Sequence, residues 1–141
     1  MTDASAIVRR LNDAINAHDA SRAEALLDPA FTYTGADGQV SARGPKAMAA
    51  FLETFFAAFP DLHDDVRQLH AAGDHVVIVE VITEGTHKGE LMGLPPTGRR
   101  IALPNCQVWE VRDGKIFLGR EYFDSAVMMQ QLGVAAGAAA V

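Results

Sequence analysis

Two β-rich runs joined at Asp113-Gly114 constrain this chain more than any other part of it. A two-residue hairpin loop of the primed type needs positive φ at its centre, and Asp-Gly supplies that at little steric cost. The runs Arg100–Val111 and Ile116–Tyr122 therefore read as an antiparallel hairpin, with Asp124 just past its far end. Side chains alternate across a strand, so Ile101, Leu103, Asn105, Gln107, Trp109 and Val111 share one face. That face is apolar with two amides set into it. Buried amides need partners, so it reads as the wall of a binding cavity rather than plain core, with Asn105 and Gln107 as candidate ligand contacts.

The rest of the chain supplies what packs against this wall. Ile7, Leu11, Ala14, Ile15 and His18 fall on one face of a helix spanning Asp3–Ala17, with Asn12 and Asn16 beside them. Ser21 and Glu24 have the spacing of a capping box, opening a short helix that ends near Leu27-Asp28-Pro29. Phe31–Thr34 reads as a strand, Gly35–Gly38 as a turn and Gln39–Ser41 as a short return strand. Gly44-Pro45 opens a third helix that stops at Phe59 before Pro60. Its stripe of Met48, Phe51, Leu52, Phe55, Phe56 and Phe59 is broad enough to lie across a sheet. Such a stripe is ordinary core, yet one edge can face a cavity, and Phe51 and Phe55 are the candidates there. Val66–His70 and His75–Thr86 are further strands, and His87 continues the face of Val77, Val79, Val81 and Thr83. A Gly/Pro-rich loop covers Lys88–Gly98, and a short helix, Ser125–Leu132, precedes an Ala/Gly tail. Helices followed by strands define an α+β domain, with helices on one face of an antiparallel or mixed sheet. The pattern leads one to expect a single domain over residues 1–133 and a flexible Ala/Gly tail over 134–141.

Composition closes off several classes of function. A chain of 141 residues fits one domain with a sizeable core. No apolar run approaches the roughly 18 residues that span a bilayer, and Met1–Ser5 has neither the basic start nor the apolar centre of a signal peptide. A cytoplasmic protein is expected. The net charge of −6 argues against nucleic-acid or anionic-membrane partners, both of which need a basic surface. Cys106 is alone and reads as a small buried hydrophobe. His18, His63, His70 and His75 show no ligand spacing, so no metal site is expected.

The run Gly85-Thr86-His87, Gly89, Gly93 and Pro95–Gly98, with Asp113–Ile116, Tyr122–Asp124 and Gln131–Gly133, resembles the SnoaL-like polyketide cyclases of the nuclear transport factor 2-like superfamily. The resemblance covers roughly residues 5 to 133. It implies a cone-shaped curved mixed sheet wrapped around three N-terminal helices, with a short C-terminal helix, commonly dimeric through the sheet. It also implies an intramolecular aldol closure on a polyketide ester without metal or cofactor. The acid/base carboxylate of that family lies at the end of the last strand, which here points to Asp124, and polar residues on the preceding strand orient the substrate, which here points to Asn105 and Gln107.

Aldol closure needs a base for a proton next to a carbonyl and an acid for the alkoxide that forms. One carboxyl does both if burial raises its pKa toward the working pH. Asp124, preceded by Tyr122-Phe123, is the expected group, but it is also well placed as the N-cap of the helix at Ser125. The two roles compete, because a carboxylate bonded to helix amides is a poor base. Arg120 either holds Asp124 ionised or, as a surface residue, pairs with Glu110 or Glu121; the surface role is favoured. His87 either donates to a substrate carbonyl or stabilises a strand end. Tyr33 and Tyr122 are further candidate contacts, and Trp109 is a wall or dimer contact. Epoxide hydrolysis wants two carboxylates around an Arg, and a second acid is not visible in the sequence. The same proton abstraction would serve a cofactor-independent isomerase as well as a cyclase, and the competing class is a non-catalytic domain of the same fold that holds a small apolar ligand.

Overall fold

The computed structural model describes residues 3–134. Helix α1 (Ala4–Asn16) is capped by the Asp3 carboxylate, which accepts from the Ser5 N–H at 3.2 Å. Its buried face of Ile7, Val8, Leu11, Ala14 and Ile15 has the spacing of an amphipathic helix. There follow α2 (Ala20–Glu24), β1 (Leu27–Thr34), β2 (Val40–Arg43), α3 (Pro45–Ala58), β3 (His63–Ala72), β4 (Val76–Thr86), β5 (Arg100–Arg112), β6 (Lys115–Tyr122) and α4 (Ser125–Leu132). Helix α3 follows the first two strands, in the order read from the sequence.

The six strands form one open mixed sheet in the order β2-β1-β6-β5-β4-β3. Only β1 and β6 run parallel; the other neighbours are antiparallel. Asp113 and Gly114 take φ of 51° and 77°, the two positive values that a tight primed turn requires. Register is unbroken from Val76–Glu110 to Thr86–Arg100 between β4 and β5, but shifts within β1–β2, β1–β6, β3–β4 and β5–β6. Such bulges bend a strand and deepen its twist, which curves the sheet away from its regular central pair. The inner face, with Val77, Val79, Val81, Ile101, Leu103 and Trp109 buried, packs under α1, α3 and α4.

Three local expectations are corrected. Asp19, not Ser21, caps α2 by accepting from the Arg22 N–H at 3.0 Å, and the Ser21 hydroxyl donates to Asp19 instead. Strand β1 starts four residues before Phe31; Pro29 is accommodated where the β1–β6 ladder is interrupted between Leu27 and Thr32, so no ladder hydrogen bond is lost. β3 is longer at both ends than Val66–His70. The expected tail lies, beyond Val134, outside the described residues. Among the described residues no helix is long and apolar enough to cross a membrane.

Candidate active site

A cavity of about 710 Å³ opens between the inner face of the sheet and the helices. Phe51, Phe55 and Phe59 of the α3 segment and Trp109 of β5 give it aromatic walls; Leu91, Met92 and Leu94 of the loop before β5, with Phe123 and Met128, complete the apolar lining. Tyr33 stacks on Trp109 with ring centroids 5.6 Å apart. Gly119 makes that stack possible, since a Cβ there would collide with Trp109 and sit 3.0 Å from Tyr33 Cδ1.

Across this apolar lining runs one belt of polar side chains contributed by five strands. Asp64 of β3 faces its cross-strand partner Thr83, whose hydroxyl donates to Asp64 Oδ1 at 2.7 Å. Gln107 Nε2 donates to Asp64 Oδ2 at 3.4 Å. Asn105 Nδ2 donates to Glu121 Oε2 at 3.1 Å and reaches Thr83 Oγ1 at 3.5 Å. Tyr33 of β1 ends the belt against Glu121. The amide nitrogens face carboxyl oxygens, which fixes the amide orientation and leaves Asn105 Oδ1 and Gln107 Oε1 without partners, as is Trp109 Nε1. Buried polar atoms of this kind call for a ligand or water to bond them.

Both acids are shifted the same way. Burial raises the Asp64 carboxyl above its ordinary range, against the opposing bonds from Thr83 and Gln107. Burial also raises Glu121, opposed by Asn105 and Tyr33 and reinforced by the charge of Asp64. Desolvation, then the Glu121 charge, pushes Tyr33 well above the usual phenol value, so it stays a hydroxyl. Among the described residues, no Lys, Arg or His lines the cavity. Asp64 and Glu121 thus supply two carboxyls inside the cavity, with the exposed Asp37 also on its lining, but among the described lining residues there is no Arg of the kind that epoxide hydrolysis would want between them.

The cavity gathers most of the expected contact residues: Asn105, Gln107, Tyr33, Trp109, Phe51 and Phe55 all line it. Three expectations are corrected. Asp124 is exposed and outside the lining; its Oδ1 accepts from the Ala126 and Val127 N–H groups at 2.9 and 3.4 Å, as the cap of α4. Tyr122 is 57% exposed and lies on the opposite face, beside a groove of about 260 Å³ that also borders the half-buried Cys106. His87 is wholly buried outside the lining, its Nδ1 accepting from the Thr97 N–H at 3.2 Å and facing the Thr97 hydroxyl at 3.1 Å. Burial lowers its pKa, which suits a neutral ring that pins the loop before β5. Arg120 takes the favoured surface role, paired with Glu110 at 2.7 Å.

Asp64, Thr83 and Glu121 are the site residues that pattern reading missed. The sheet explains Glu121. On β6, Ile116 pairs with Val111 but Leu118 pairs with Glu110, so Phe117 is an extra residue. Counting by two from the buried Ile116 sends Arg120, Tyr122 and Asp124 inward; the bulge reverses the parity and sends Gly119, Glu121 and Phe123 inward instead.

The fold recurs in known proteins, and the sequence has relatives. The sequence profile described as "SnoaL-like polyketide cyclase" matches residues 5–132. Over 136 residues the chain is 27% identical to the aklanonic acid methyl ester cyclase AcmA of Streptomyces galilaeus, covering 94% of this chain and 92% of that one. Over 92 residues it is 34% identical to the nogalonic acid methyl ester cyclase of Streptomyces nogalater, covering 64% and 67%. In fold it matches the structure of TsrD from Streptomyces laurentii with a TM-score of 0.82 at 21% identity, over 96% and 99% of the two chains. The chain belongs to the SnoaL-like polyketide cyclase family.

Proposed function

We propose that the chain closes a ring in a small polyketide-like ester by intramolecular aldol chemistry, with Glu121 in the acid/base role first expected of Asp124. The observation that carries this is the placement of the Glu121 carboxyl on the cavity lining, 3.1 Å from the Asn105 amide nitrogen and surrounded by aromatic rings. The relatives support the substrate class, being cyclases of aklanonic acid methyl ester and nogalonic acid methyl ester in a polyketide cyclase family. A cavity carboxylate removes a proton from carbon next to a carbonyl, and the C–H electron pair moves to the carbonyl oxygen as an enolate. The enolate carbon bonds to a second carbonyl carbon, whose π pair becomes an alkoxide, and that oxygen takes a proton from Glu121. Only protons move between protein and ligand, so the sequence of steps calls on no cofactor. Apolar walls exclude water and keep the carboxyl pKa high enough for the transfer to be reversible.

Turnover of aklanonic acid methyl ester by the chain and by Glu121→Gln tests the proposal. A fall of about 10²-fold or more in turnover with ligand affinity retained is expected. Turnover undiminished in the variant overturns the assignment. The aromatic lining also suits a non-catalytic domain that holds an apolar ligand; that reading predicts binding with no Glu121-dependent turnover.

We also propose a homodimer through the outer face of the sheet. Among the described residues no helix covers that face, and Ile78, Ile82 and Val108 are only half-buried there, beside the exposed Tyr122. Sedimentation equilibrium giving twice the 15.1 kDa chain mass is the expected result.

A further inference from the structure

Asp64 is a buried acid that the aldol scheme leaves without a task. It is 6% exposed, lies in the same cavity as Glu121, and is held from behind by α1. Holding the buried Asp64 and the half-buried Glu121 in one cavity, with no cation among the described lining residues, is costly if both are ionised, because the two charges repel in a poorly solvated enclosure. The hydrogen-bond pattern says where one charge sits. Gln107 Nε2 can only donate, and it faces Asp64 Oδ2. Thr83 Oγ1 faces the donating Asn105 amide, so its own hydrogen is directed to Asp64 Oδ1. Each Asp64 oxygen therefore meets a donor, which is the environment of a carboxylate. Glu121 differs: one oxygen meets the Asn105 donor, and its other neighbour is the Tyr33 hydroxyl, which can accept as well as donate. A proton is accommodated on Glu121 and not on Asp64.

We propose that Asp64 and Glu121 work as one couple holding a single proton between them, so that a carboxylate and a carboxylic acid face the ligand together. Asp64 then takes the base half of the acid/base role given above to Glu121, and Glu121 keeps the acid half. Asp64 takes the C–H proton, Glu121 gives its proton to the new alkoxide, and the couple still holds one proton when the C–C bond has formed. Return of that proton from Asp64 to Glu121 resets the site. The other titratable groups near Asp64 are its neighbour His63 on β3, Tyr33 on β1 and, at the cavity mouth, Asp37; α1 presents Asn16 and Ile15, and α3 and α4 add no titratable group to the lining. The charge of Asp64 is among the causes that raise Glu121, in agreement with this arrangement.

The chemistry rests on the aldol reading, but the shared proton can be tested without any substrate. Carboxyl ¹³C NMR titration of the ligand-free protein, assigned with Asp64→Asn and Glu121→Gln, should show Glu121 protonated after Asp64 has ionised. In Asp64→Asn the Glu121 midpoint should fall by about one pH unit or more, the coupling expected of interacting acids. Thr83→Val keeps both carboxyls, removes one donor from Asp64, and should raise the Asp64 midpoint; it decides the matter if Asp64→Asn does not fold. A Glu121 midpoint unmoved by Asp64→Asn, or an Asp64 midpoint unmoved by Thr83→Val, overturns the proposal. Failure to turn over an ester would instead count against the aldol reading and leave these titrations standing.

Discussion

The side-chain amide of Asn16 closes both backbone polar groups of Asp64: its Nδ2 donates to the Asp64 carbonyl at 3.0 Å, and its Oδ1 accepts the Asp64 N–H at 2.8 Å. One helix end thus sets the position of the start of β3, whose Asp64 side chain lines the cavity. His18 adds to the clasp, its Nε2 lying 2.7 Å from the Leu62 carbonyl and its ring stacked on Phe56 at 4.4 Å. Asn16→Ala leaves two part-buried backbone groups unpaired and should cost about 2 kcal/mol of stability, measurable as a shift of the urea midpoint. Asn16→Asp cannot replace the lost donor and should recover little of it.

Gly119 lies opposite Trp109 across β5–β6 and beside Tyr33 across β1–β6. Its need for glycine is one of space, since the nearest atoms to an added Cβ belong to those two rings. Gly119→Ala should destabilise by about 1–3 kcal/mol or more through overpacking, and should part the Tyr33–Trp109 stack. Thermal unfolding reads the first effect. Fluorescence of Trp109, the single tryptophan, reads the second.

These two contacts also show what the sequence could and could not reveal. The inner face of β5 was readable because its alternation runs without interruption from Ile101 to Val111, and its pairing with β4 has no bulge. Helix α4 was readable from Asp124 at its start and Gly133, at φ 73°, past its end. Glu121 was hidden by the bulge at Phe117, which reverses the two-residue period without a glycine or proline to mark it. Asp64 sits in the polar run His63-Asp64-Asp65, which reads as a surface segment until Asn16, 48 residues earlier in the chain, is brought against it. Nothing local records that contact. Asp124 drew attention because a cap and a catalytic acid look alike in sequence; they differ only in what the carboxylate faces.

The corrected role of Asp124 gives a direct expectation. Its carboxylate accepts two N–H groups at the start of α4, whose Met128 and Leu132 are buried. Asp124→Ala should therefore cost about 1 kcal/mol, and Asp124→Asn much less because asparagine caps nearly as well. Neither change should lower turnover beyond what the loss of folded protein explains. Chemical denaturation beside turnover per folded molecule separates the two effects, and a Glu121→Gln-sized loss in Asp124→Asn would return the acid/base role to Asp124.

The buried acids fix the sign of the pH dependence of folding. Asp64 and Glu121 both bind their protons more tightly folded than unfolded, chiefly through burial. A raised folded pKa means that the folded state holds more protons than the unfolded state in the interval between the two values, so stability falls with rising pH there. Their contribution is fully present below the unfolded carboxylate range, at about pH 4, and is lost as pH rises through the folded values. Replacing either acid by its amide removes the cost of ionising it in a dry cavity. Glu121→Gln should therefore be more stable than the parent chain near neutrality, by about 1.4 kcal/mol for each pH unit of elevation it abolishes. The advantage should shrink on acidification and vanish near pH 4. Urea denaturation across that range checks it; a gain that persists undiminished in acid would mean that packing, not ionisation, is what the substitution changes.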